Sequence, residues 1–441
     1  MAPFSGKYTH KAGDRFVFKG GVTWPNAALP LYIATGGNAG NPDVYGVDPA
    51  WHAGAAAWTR PVFDAQGSVF TNHAGRHMGN VIQVRNVDYV TIDGIEIRNF
   101  VWNNPVDRNN ADGWGILAWS ADYVTATNCY VHDWVVRTDR DRRFGGIANV
   151  NASKHMVARN CVVRGPATID PQYRSRGGTG PVTSGGGFVG TFELVGDCDI
   201  SRVSQGVFGY FYEVRNNRLH QCCNSFQADT HENGMWIEGP ARVHANHMYD
   251  MNDGEGVTVY LLPGWSGRSN LSQYFYNNIL DIPGFAGNPV DVTNQGCDDV
   301  TNEIFLYNNI FRRGTALFLG TAKVGEPLKT VRVQNNLFIT STGNSIYIVD
   351  SLDDDVDDYR KSHNVVWTEA EAAAANLTSA NAFKPQSVIG ELKDAGLDLS
   401  AIFTIDFEGA ARPTGAWDIG AYESGSAVPL PPAGFNLAPR P

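Results

Sequence analysis

Two short acidic segments hold the side chains of this sequence that are best suited to acid–base chemistry. The first is DTHENG at 229–234 and the second is NDGEG at 252–256. Each segment ends in a glycine and leads into a stretch in which apolar residues alternate with others, as in a half-buried strand. The ionisable residues of the two segments are Asp229, His231, Glu232, Asp253 and Glu255.

The similarity of the two segments predicts which residues meet. When the closing glycines are aligned, His231 falls beside Asp253. The same alignment sets Glu238 beside Tyr260. If the two copies are successive coils of a stacked sheet, such partners lie roughly 5 Å apart, which is the spacing of neighbouring strands. The five ionisable residues would then share one small area.

Proton abstraction is one reaction that this cluster could perform. Removal of a proton α to a carboxylate requires a base, a proton donor and a group that neutralises the substrate's charge. The sequence offers His231 as the base, with Asp253 as its partner, and Tyr260 as the acid. Arg174 or Arg176, from a long insertion upstream, would neutralise the substrate.

Paired carboxylates allow a different reaction. A glycoside hydrolase uses two of them, about 5 Å apart in retaining enzymes and about 6.5–9.5 Å apart in inverting ones. Asp229, Glu232, Asp253 and Glu255 provide several such pairs. A third interpretation is structural, with carboxylates that cap turns and one hydrogen-bonded histidine. The sequence leaves all three open.

Composition argues against two classes of partner. The chain of 441 residues has a formal net charge of -11 and a pI near 5.4, which argues against nucleic acid and anionic membrane surfaces. No run of about 18 apolar residues is present, so we expect no membrane span. The beginning, MAPFSGKYTHKAGDRF, lacks the charged and apolar regions of a signal peptide.

A repeated unit fills most of the chain. In each copy an apolar strand, a turn and a second strand precede a glycine-led strand such as GWGILAW, FGGIANV or QGVFGYF. A period of 20 to 37 residues without a helical pattern predicts a β-solenoid whose glycine-led strands form one parallel sheet. The turn residues accept a left-handed backbone; they are Gly94, Asn128, Asn160, Asp197, Asn217, Asn246, Asn278, Asn309, Asn336 and Asn364.

The repeat resembles the right-handed parallel β-helix superfamily that includes pectate lyases, over roughly residues 13–425. The ending RPTGAWDIGAYE is similar to the closing segment of many secreted bacterial β-helix proteins. The resemblance implies an all-β fold, a right-handed parallel β-helix of about 10–12 coils with capped ends. It also implies a secreted, extracellular or periplasmic location. The fold carries lyases, hydrolases, epimerases, tailspikes and adhesins, so chemistry has to come from the site.

Outward residues of the glycine-led strands form the predicted groove, because substrates of this superfamily lie along one sheet. Five of the twelve are aromatic; flat rings stack on sugars, although a covering loop would also explain them. We expect Trp119, Phe208, Tyr210, Trp236 and Glu238 to bind substrate together with the two arginines. The full outward set is Leu117, Trp119, Val189, Thr191, Phe208, Tyr210, Trp236, Glu238, Thr258, Tyr260, Asp291 and Thr293.

The motif DTHE at 229–232 resembles the Asp-x-His-Asp/Glu motif of mannuronan C5-epimerases, which act on alginate. The resemblance implies that Asp229 and His231 are site residues, with Asp253 or Glu255 as the carboxylate of the next coil. The family has Tyr three residues before the Asp, where this chain has Phe226. We therefore expect a lyase or C5-epimerase acting on a uronate-containing polysaccharide. The alternatives are a hydrolase and a non-catalytic glycan binder like a tailspike or adhesin.

The ends of the chain differ from the repeats. We divide the sequence into a first strand with a capping segment at 1–71, coils at 72–367, a second capping segment at 368–425 and a Pro-rich tail at 426–441. Residues 25–71 are expected to be a loop with one short helix. TEAEAAAANLTSA and VIGELKDAGL predict two short helices that cap the far end. No trimerisation segment is evident, so we expect a monomer.

The sequence predicts no zinc site and no disulfide framework. The acidic stretch at 351–361 is interpreted as a solvated loop, with calcium as the alternative, and no cofactor is required. No His and Cys spacing suits zinc. Cys129, Cys161 and Cys198 follow equivalent turn residues, which predicts an inward column of free thiols.

Overall fold

Short strands wind into three parallel sheets that share one core, which is the parallel β-helix that the repeat predicts. Each coil contributes one strand to each sheet in turn. The computed structural model describes residues 8–54, 58–68, 80–102, 113–136, 144–166, 185–222, 233–251, 257–265, 267–283, 288–292, 301–313, 318–319, 328–341, 347–348, 356–385 and 390–424. All statements below concern these residues.

The first sheet holds the glycine-led strands, with strands numbered along the chain. Its strands pair in parallel in the order β3 (Leu31–Ile33), β6 (Ile82–Arg85), β10 (Gly113–Trp119), β14 (Phe144–Val150), the beginnings of β17 (Gly186–Gly196) and β19 (Gln205–Arg215), β21 (Met235–Glu238), β24 (Val257–Leu262), β27 (Asn288–Val292), β30 (Phe318–Leu319) and β33 (Tyr347–Ile348).

The second sheet continues directly from the first, because β17 and β19 run through both. Together the two form a 21-stranded sheet. The second sheet contains β1 (Arg15–Gly20), β4 (Asp43–His52), β7 (Val90–Asp93), β11 (Val124–Thr127), β15 (Met156–Arg159), the ends of β17 and β19, β22 (Arg242–His244), β25 (Ser272–Tyr276), β28 (Glu303–Tyr307), β31 (Leu328–Gln334) and β34 (Val356–Ser362).

The third sheet has 12 strands and follows the sharp turn of each coil. A separate pair is formed by β9 (Val101–Trp102) and β13 (Val135–Val136). The strands of the third sheet are β2 (Thr23–Trp24), β5 (Val62–Asp64), β8 (Glu96–Arg98), β12 (Tyr130–His132), β16 (Val162–Arg164), β18 (Asp199–Ser201), β20 (Arg218–His220), β23 (His247–Tyr249), β26 (Ile279–Asp281), β29 (Ile310–Arg313), β32 (Leu337–Thr340) and β35 (Val365–Thr368).

Glycines begin the strands of the first sheet because the coil is narrow there. A Cβ added to Gly115 would lie 2.3 Å from a methyl of Val131, and one added to Gly146 would lie 2.3 Å from a methyl of Val163. Both distances are far below van der Waals contact. The glycines therefore let the first sheet approach the third, and the fully buried apolar core fills the space between the three sheets.

The turn between the second and third sheets corrects one prediction. Gly94, Asn128, Asn160 and Asp197 are left-handed as expected. In the later coils the left-handed residue lies one position earlier than predicted. The predicted asparagine of these coils instead forms hydrogen bonds through its buried side-chain amide. The left-handed residues of those coils are Asn216, Ala245, Asn277, Asn308, Asn335 and His363.

Those later asparagines form a buried ladder of side-chain amides. The Nδ2 of Asn246 donates to the Oδ1 of Asn278 at 3.0 Å and to the carbonyl of Val214 at 2.9 Å. Asn278 repeats the pattern one coil later, with Asn309 and the carbonyl of Val243. The hydrogen-bonding groups of each amide are thus paired with groups on neighbouring coils. The members of the ladder are Asn217, Asn246, Asn278, Asn309, Asn336 and Asn364.

The amino-terminal segment differs from the loop that we expected. Its described part contributes β3, β4 and β5 to the three sheets, and Asn26–Ala28 is a single 3-10 turn. Gly and Pro suggested loop structure, but the short alternating runs between them were sufficient for strands. The division of the chain into domains remains a prediction.

The C-terminal segment lies along the side of the coils. The first expected helix is present as α1 (Glu369–Ala374), whereas the described residues 390–394 of the second form turns. Phe403 stacks on Tyr276 with ring centroids 4.4 Å apart. Asn308 donates its Nδ2 to the carbonyl of Asp418 at 2.9 Å. The left-handed asparagines thus present their side chains outward, where this segment binds them. The helices among the described residues are all too short or too polar to cross a bilayer.

Candidate functional site

One row of outward residues crosses four neighbouring strands of the first sheet. Phe208 on β19 pairs with Trp236 on β21, which pairs with Tyr260 on β24, which pairs with Asp291 on β27. Their inward neighbours Val207, Met235, Val259 and Val290 belong to the core. The outward direction predicted for these residues is consistent with this alternation.

Trp236 is at the centre of an aromatic cluster and is only 3% exposed. Its ring lies 5.4 Å from Phe208, 5.1 Å from Tyr260 and 5.0 Å from Trp265, measured between centroids. The contact with Trp265 is edge to face, a favoured geometry for aromatic pairs. Trp265 follows β24, so the chain after β24 folds back over the outer face of the sheet. Trp236 is therefore covered, while Phe208, Tyr260 and Trp265 remain half-buried.

Glu238 is held by two donors on the same face. Trp236 donates its Nε1 to Oε1 at 3.2 Å, and Arg268 donates its Nη1 to Oε2 at 2.8 Å. The side chain of Glu238 is 12% exposed. Both carboxylate oxygens are thus engaged, and Glu238 positions the tryptophan and the arginine. A paired carboxylate of this kind is a poor candidate for binding an anionic substrate directly.

Arg268 also covers Tyr210. Its guanidinium carbon lies 4.6 Å from the centroid of the phenol ring, within the range of a cation–π interaction. Burial raises the pKa of Tyr210 to about 12, so the phenol stays protonated near neutral pH. The second neighbour, Tyr212, meets Tyr210 edge to face at 5.4 Å. The cluster of Phe208, Tyr210, Trp236, Glu238, Tyr260, Trp265 and Arg268 is called the aromatic site below.

Seven of the predicted site residues lie outside the described residues, so their predicted roles stay predictions. The strands that follow the two acidic segments, β21 and β24, are neighbours in the first sheet. Tyr260, also predicted as catalytic, lies on β24 within the aromatic site. The seven residues are Arg174, Arg176, Asp229, His231, Glu232, Asp253 and Glu255.

The predicted register of β21 and β24 is wrong by two residues. Tyr260 lies beside Trp236, whereas the sequence alignment set it beside Glu238. At the beginning of both strands Asn233 donates its Nδ2 to the carbonyl of Val257 at 2.8 Å. The alignment that paired His231 with Asp253 is displaced by the same two residues, so that pairing loses its original basis. Thr258 is fully buried and takes the position of the inward glycines, so it does not face the groove.

Trp119 lies on the same outer face, nearer to the amino-terminal end. It is half-buried on β10, against a small apolar patch of Trp114, Leu117 and Ala148. Arg85 on β6 pairs with Trp119 in the register, and its guanidinium carbon lies 5.5 Å from the centroid of the indole. Trp119 and the aromatic site thus face the same side of the solenoid, as predicted.

Sequence reasoning missed Trp265, Arg268 and Arg85. The signal for the first two is PGWSGR, a Gly-rich turn with an aromatic and a cation directly after an alternating strand. Such a turn has a short reach and must lie over the strand that it follows. Arg85 ends the stretch VIQVR, where its outward direction follows from the alternation but its stacking partner does not.

The acidic stretch that we considered for calcium is described only from Val356 onward, so the calcium alternative stays a prediction. Its described part, from Val356, belongs to β34, and Asp358 is paired with Arg332 and Arg360. This part is therefore a strand and not the solvated loop that we expected. Elsewhere Asp394, Asp418 and Glu423 have carboxylate oxygens within 4.8 Å of one another.

The chain itself supplies donors to the two buried members of that carboxylate group. Asp418 accepts backbone N–H groups from Asp394 and Ser424. Glu423 accepts from Arg412 at 2.8 Å in a buried ion pair. The arrangement joins the C-terminal segment to itself and to the coils, because Arg412 also donates to the Oδ1 of Asn277 at 2.9 Å.

The thiol prediction is confirmed for the described cysteines. Cys129, Cys161, Cys198 and Cys222 are free and buried. Hydrogen bonding with Cys161, together with burial, raises the pKa of Cys129 well above its usual range. Thiols that stay protonated in an apolar core are poor nucleophiles and poor metal ligands. They belong to the packing of the coils.

No protein-family model and no curated protein matches the chain. Among solved structures it is similar to the native GH136 lacto-N-biosidase from Eubacterium ramulus, with a TM-score of 0.54, 14% identity, and coverage of 82% of this chain and 63% of that one. A structure described as a rhamnogalacturonan lyase aligns with a TM-score of 0.49 at 15% identity, over 89% of this chain and 90% of that one.

The similarity to the lacto-N-biosidase shows a shared fold. This chain spans 63% of the length of that structure, which therefore contains much that has no counterpart here. Since no family model matches, the likeness of DTHE to the epimerase motif stays a prediction. Chemistry has to be argued from the site itself.

Proposed function

We propose that the chain is a carbohydrate-active enzyme that binds an acidic polysaccharide along the outer face of the first sheet. The observation that carries the proposal is the aromatic site on β19, β21 and β24, of which the last two directly follow the two acidic segments. Half-buried rings of Phe208, Tyr260 and Trp265 give apolar faces for pyranose rings. A secreted or periplasmic monomer fits this role, and both properties are part of the proposal.

The reaction we propose is proton abstraction at a uronate, as in a lyase or a C5-epimerase. His231 would act as base and Tyr260 as proton donor, with Arg174 or Arg176 neutralising the carboxylate of the sugar. Tyr260 lies beside Trp236 on β24, the strand that follows the second acidic segment, and its half-buried phenol belongs to the aromatic site. The carboxylates Asp229, Glu232, Asp253 and Glu255 would orient the base.

A hydrolase is the second candidate. Several carboxylates precede β21 and β24, and a hydrolase needs only two of them at a suitable separation. The similar fold of a protein named lacto-N-biosidase supports this alternative. Calcium is an optional addition in either case, and neither reaction requires an organic cofactor.

The first test is a panel of polymers incubated with the purified chain: alginate, polygalacturonate, a glycosaminoglycan and a neutral mannan. A lyase produces unsaturated uronates that absorb in the ultraviolet, and an epimerase changes the uronate composition seen by NMR without new chain ends. New reducing ends without ultraviolet absorbance identify a hydrolase. Binding without any chemical change identifies a glycan-binding protein, and neither binding nor change in any polymer contradicts the proposal.

The second test separates the mechanisms. His231→Ala should lower kcat by two orders of magnitude or more, because general bases contribute about 10²–10⁴-fold. The control is His155→Ala, since His155 lies directly before β15 and its side chain is 41% exposed. If His231→Ala keeps near-normal activity while Asp229→Asn or Glu232→Gln is inactive, the two-carboxylate mechanism replaces proton abstraction.

A further inference from the structure

Two described arginines on the outer face of the first sheet lie over aromatic rings, and the described residues supply a carboxylate partner to one of them. Arg268 lies over Tyr210 and forms an ion pair with Glu238 at 2.8 Å. Arg85 lies over Trp119 at 5.5 Å, and no described carboxylate pairs with it. Glu238 neutralises the first guanidinium, whereas the second is half-buried without a counter-ion among the described residues.

Half-burial of a guanidinium is costly unless something compensates for its charge. The indole of Trp119 supplies part of that compensation through the cation–π interaction. The contact with the indole also restrains the side chain of Arg85, so less entropy is lost when the guanidinium binds an anion with two parallel hydrogen bonds. The pair is thus preorganised to bind an anionic group.

The pair is aligned with the aromatic site along the axis of the solenoid. Trp119 on β10 pairs with Val150 on β14, and Thr191 on β17 pairs with Tyr210 on β19. Because β14 and β17 are themselves adjacent, Trp119 and Tyr210 occupy one row, three strands apart. Three strand spacings amount to roughly 14 Å. An oligosaccharide of a few units that lies along the row can reach both positions.

We infer that Arg85 and Trp119 form a separate subsite for an anionic sugar at the amino-terminal end of the groove. The guanidinium binds the anion of the sugar, a uronate carboxylate or a sulfate ester, and the indole contacts the apolar face of the ring. The inference rests on the proposed polysaccharide groove and adds a subsite that selects for charge. It makes Arg85 a specificity-determining residue and not a catalytic one.

The test measures binding of the full chain and its variants by affinity electrophoresis in gels that contain polygalacturonate, carrageenan or neutral dextran. Arg85→Gln should weaken retention by polygalacturonate or carrageenan about fivefold to tenfold and leave retention by dextran unchanged. Arg85→Lys should have a retention between those of the wild type and Arg85→Gln, because lysine keeps the charge but lacks the planar pair of donors. Loss on polygalacturonate alone identifies a carboxylate site, and loss on carrageenan alone identifies a sulfate site.

The matched control is Arg159→Gln, which makes the same change of charge at an exposed residue on the second sheet. It should alter retention on the anionic gels by less than twofold. If Arg85→Gln behaves like this control while the wild type is retained, the subsite is wrong and the proposed function stands. If the wild type is retained by none of the three polymers, the subsite is overturned, whereas the proposed function is decided by the wider polymer panel above. Trp119→Phe, which keeps a ring with less volume, should weaken retention about threefold without affecting the melting temperature.

Discussion

One position at the turn between the second and third sheets holds different residue types in the coils up to Cys198 and in the coils from Asn217 onward. This position follows the left-handed residue of the earlier turns, and it is occupied by Ile95 and then by three thiols, Cys129, Cys161 and Cys198. From Asn217 onward it is occupied by the amide ladder. The two columns meet where the backbone N–H of Cys198 donates to the Oδ1 of Asn217 at 2.9 Å.

The difference lies in how strongly neighbouring coils depend on one another. A thiol is a weak donor that fills space like a small apolar residue, and Cys129 contacts the carbonyl of Thr127 at 3.2 Å. A buried amide has stronger requirements, and its donors and acceptor need partners on both adjacent coils. The thiol column therefore tolerates independent change, whereas the amide ladder couples each coil to the next.

The largest expected effect comes from removing one amide in the middle of the ladder. Asn278→Ala leaves the backbone N–H and the Nδ2 of Asn246 without the Oδ1 that they share, and the carbonyl of Val243 loses a donor. Each unsatisfied buried group costs about 1–3 kcal/mol, so we expect a loss of about 3 kcal/mol or more in the free energy of unfolding. Urea unfolding followed by tryptophan fluorescence measures it.

The control for that change is Cys161→Ala in the thiol column. It removes one sulfur from a buried site and leaves no strong donor or acceptor unpaired, so a loss of roughly 1 kcal/mol is expected. Equal losses for the two variants would mean that the amide ladder stabilises the coils by packing alone, and the comparison between the columns would fail.

An intermediate effect is expected when an amide is moved into the thiol column. Cys198→Asn extends the ladder by one step, because the Oδ1 of Asn217 already faces this position. Cys161→Asn places the amide between two thiols, where one N–H finds no good acceptor. We expect Cys161→Asn to cost at least about 1 kcal/mol more than Cys198→Asn. The same urea experiment compares them, and equal costs would show that the ladder has no cooperative character.

The smallest effect concerns the residue before the ladder. Ala245 has a left-handed φ of 53°, where the equivalent residues Asn216 and Asn277 are of a type that accepts this conformation. Ala245→Asn should raise the free energy of unfolding by about 0.5–1 kcal/mol, because Asn tolerates the left-handed region better than Ala. The midpoint of urea unfolding should rise with an unchanged slope. A fall in the midpoint would mean that the Cβ of Ala245 contributes more by packing than its conformation costs.

Much of the site could be inferred from alternation, but its details could not. The outward direction of Trp119, Phe208, Tyr210 and Tyr260 follows from a period of two and agrees with their exposure in the structure. The same period explains the error in register between β21 and β24. A shift of two residues leaves alternating side chains on the same face, so the pattern cannot distinguish the two alignments. Thr258, which takes a glycine position at the beginning of β24, departs from the alternation.

The sequence by itself determined the repeat, the parallel sheets and the faces of the strands, because these depend on local turn chemistry and on alternation. Tertiary structure alone decided three other features: the register of the acidic segments' strands, the covering of Trp236 by Trp265, and the side-on packing of the C-terminal segment. All three depend on contacts between residues of different coils or loops. Such contacts are selected by the fit of side chains in three dimensions, and composition or spacing along one chain does not encode that fit.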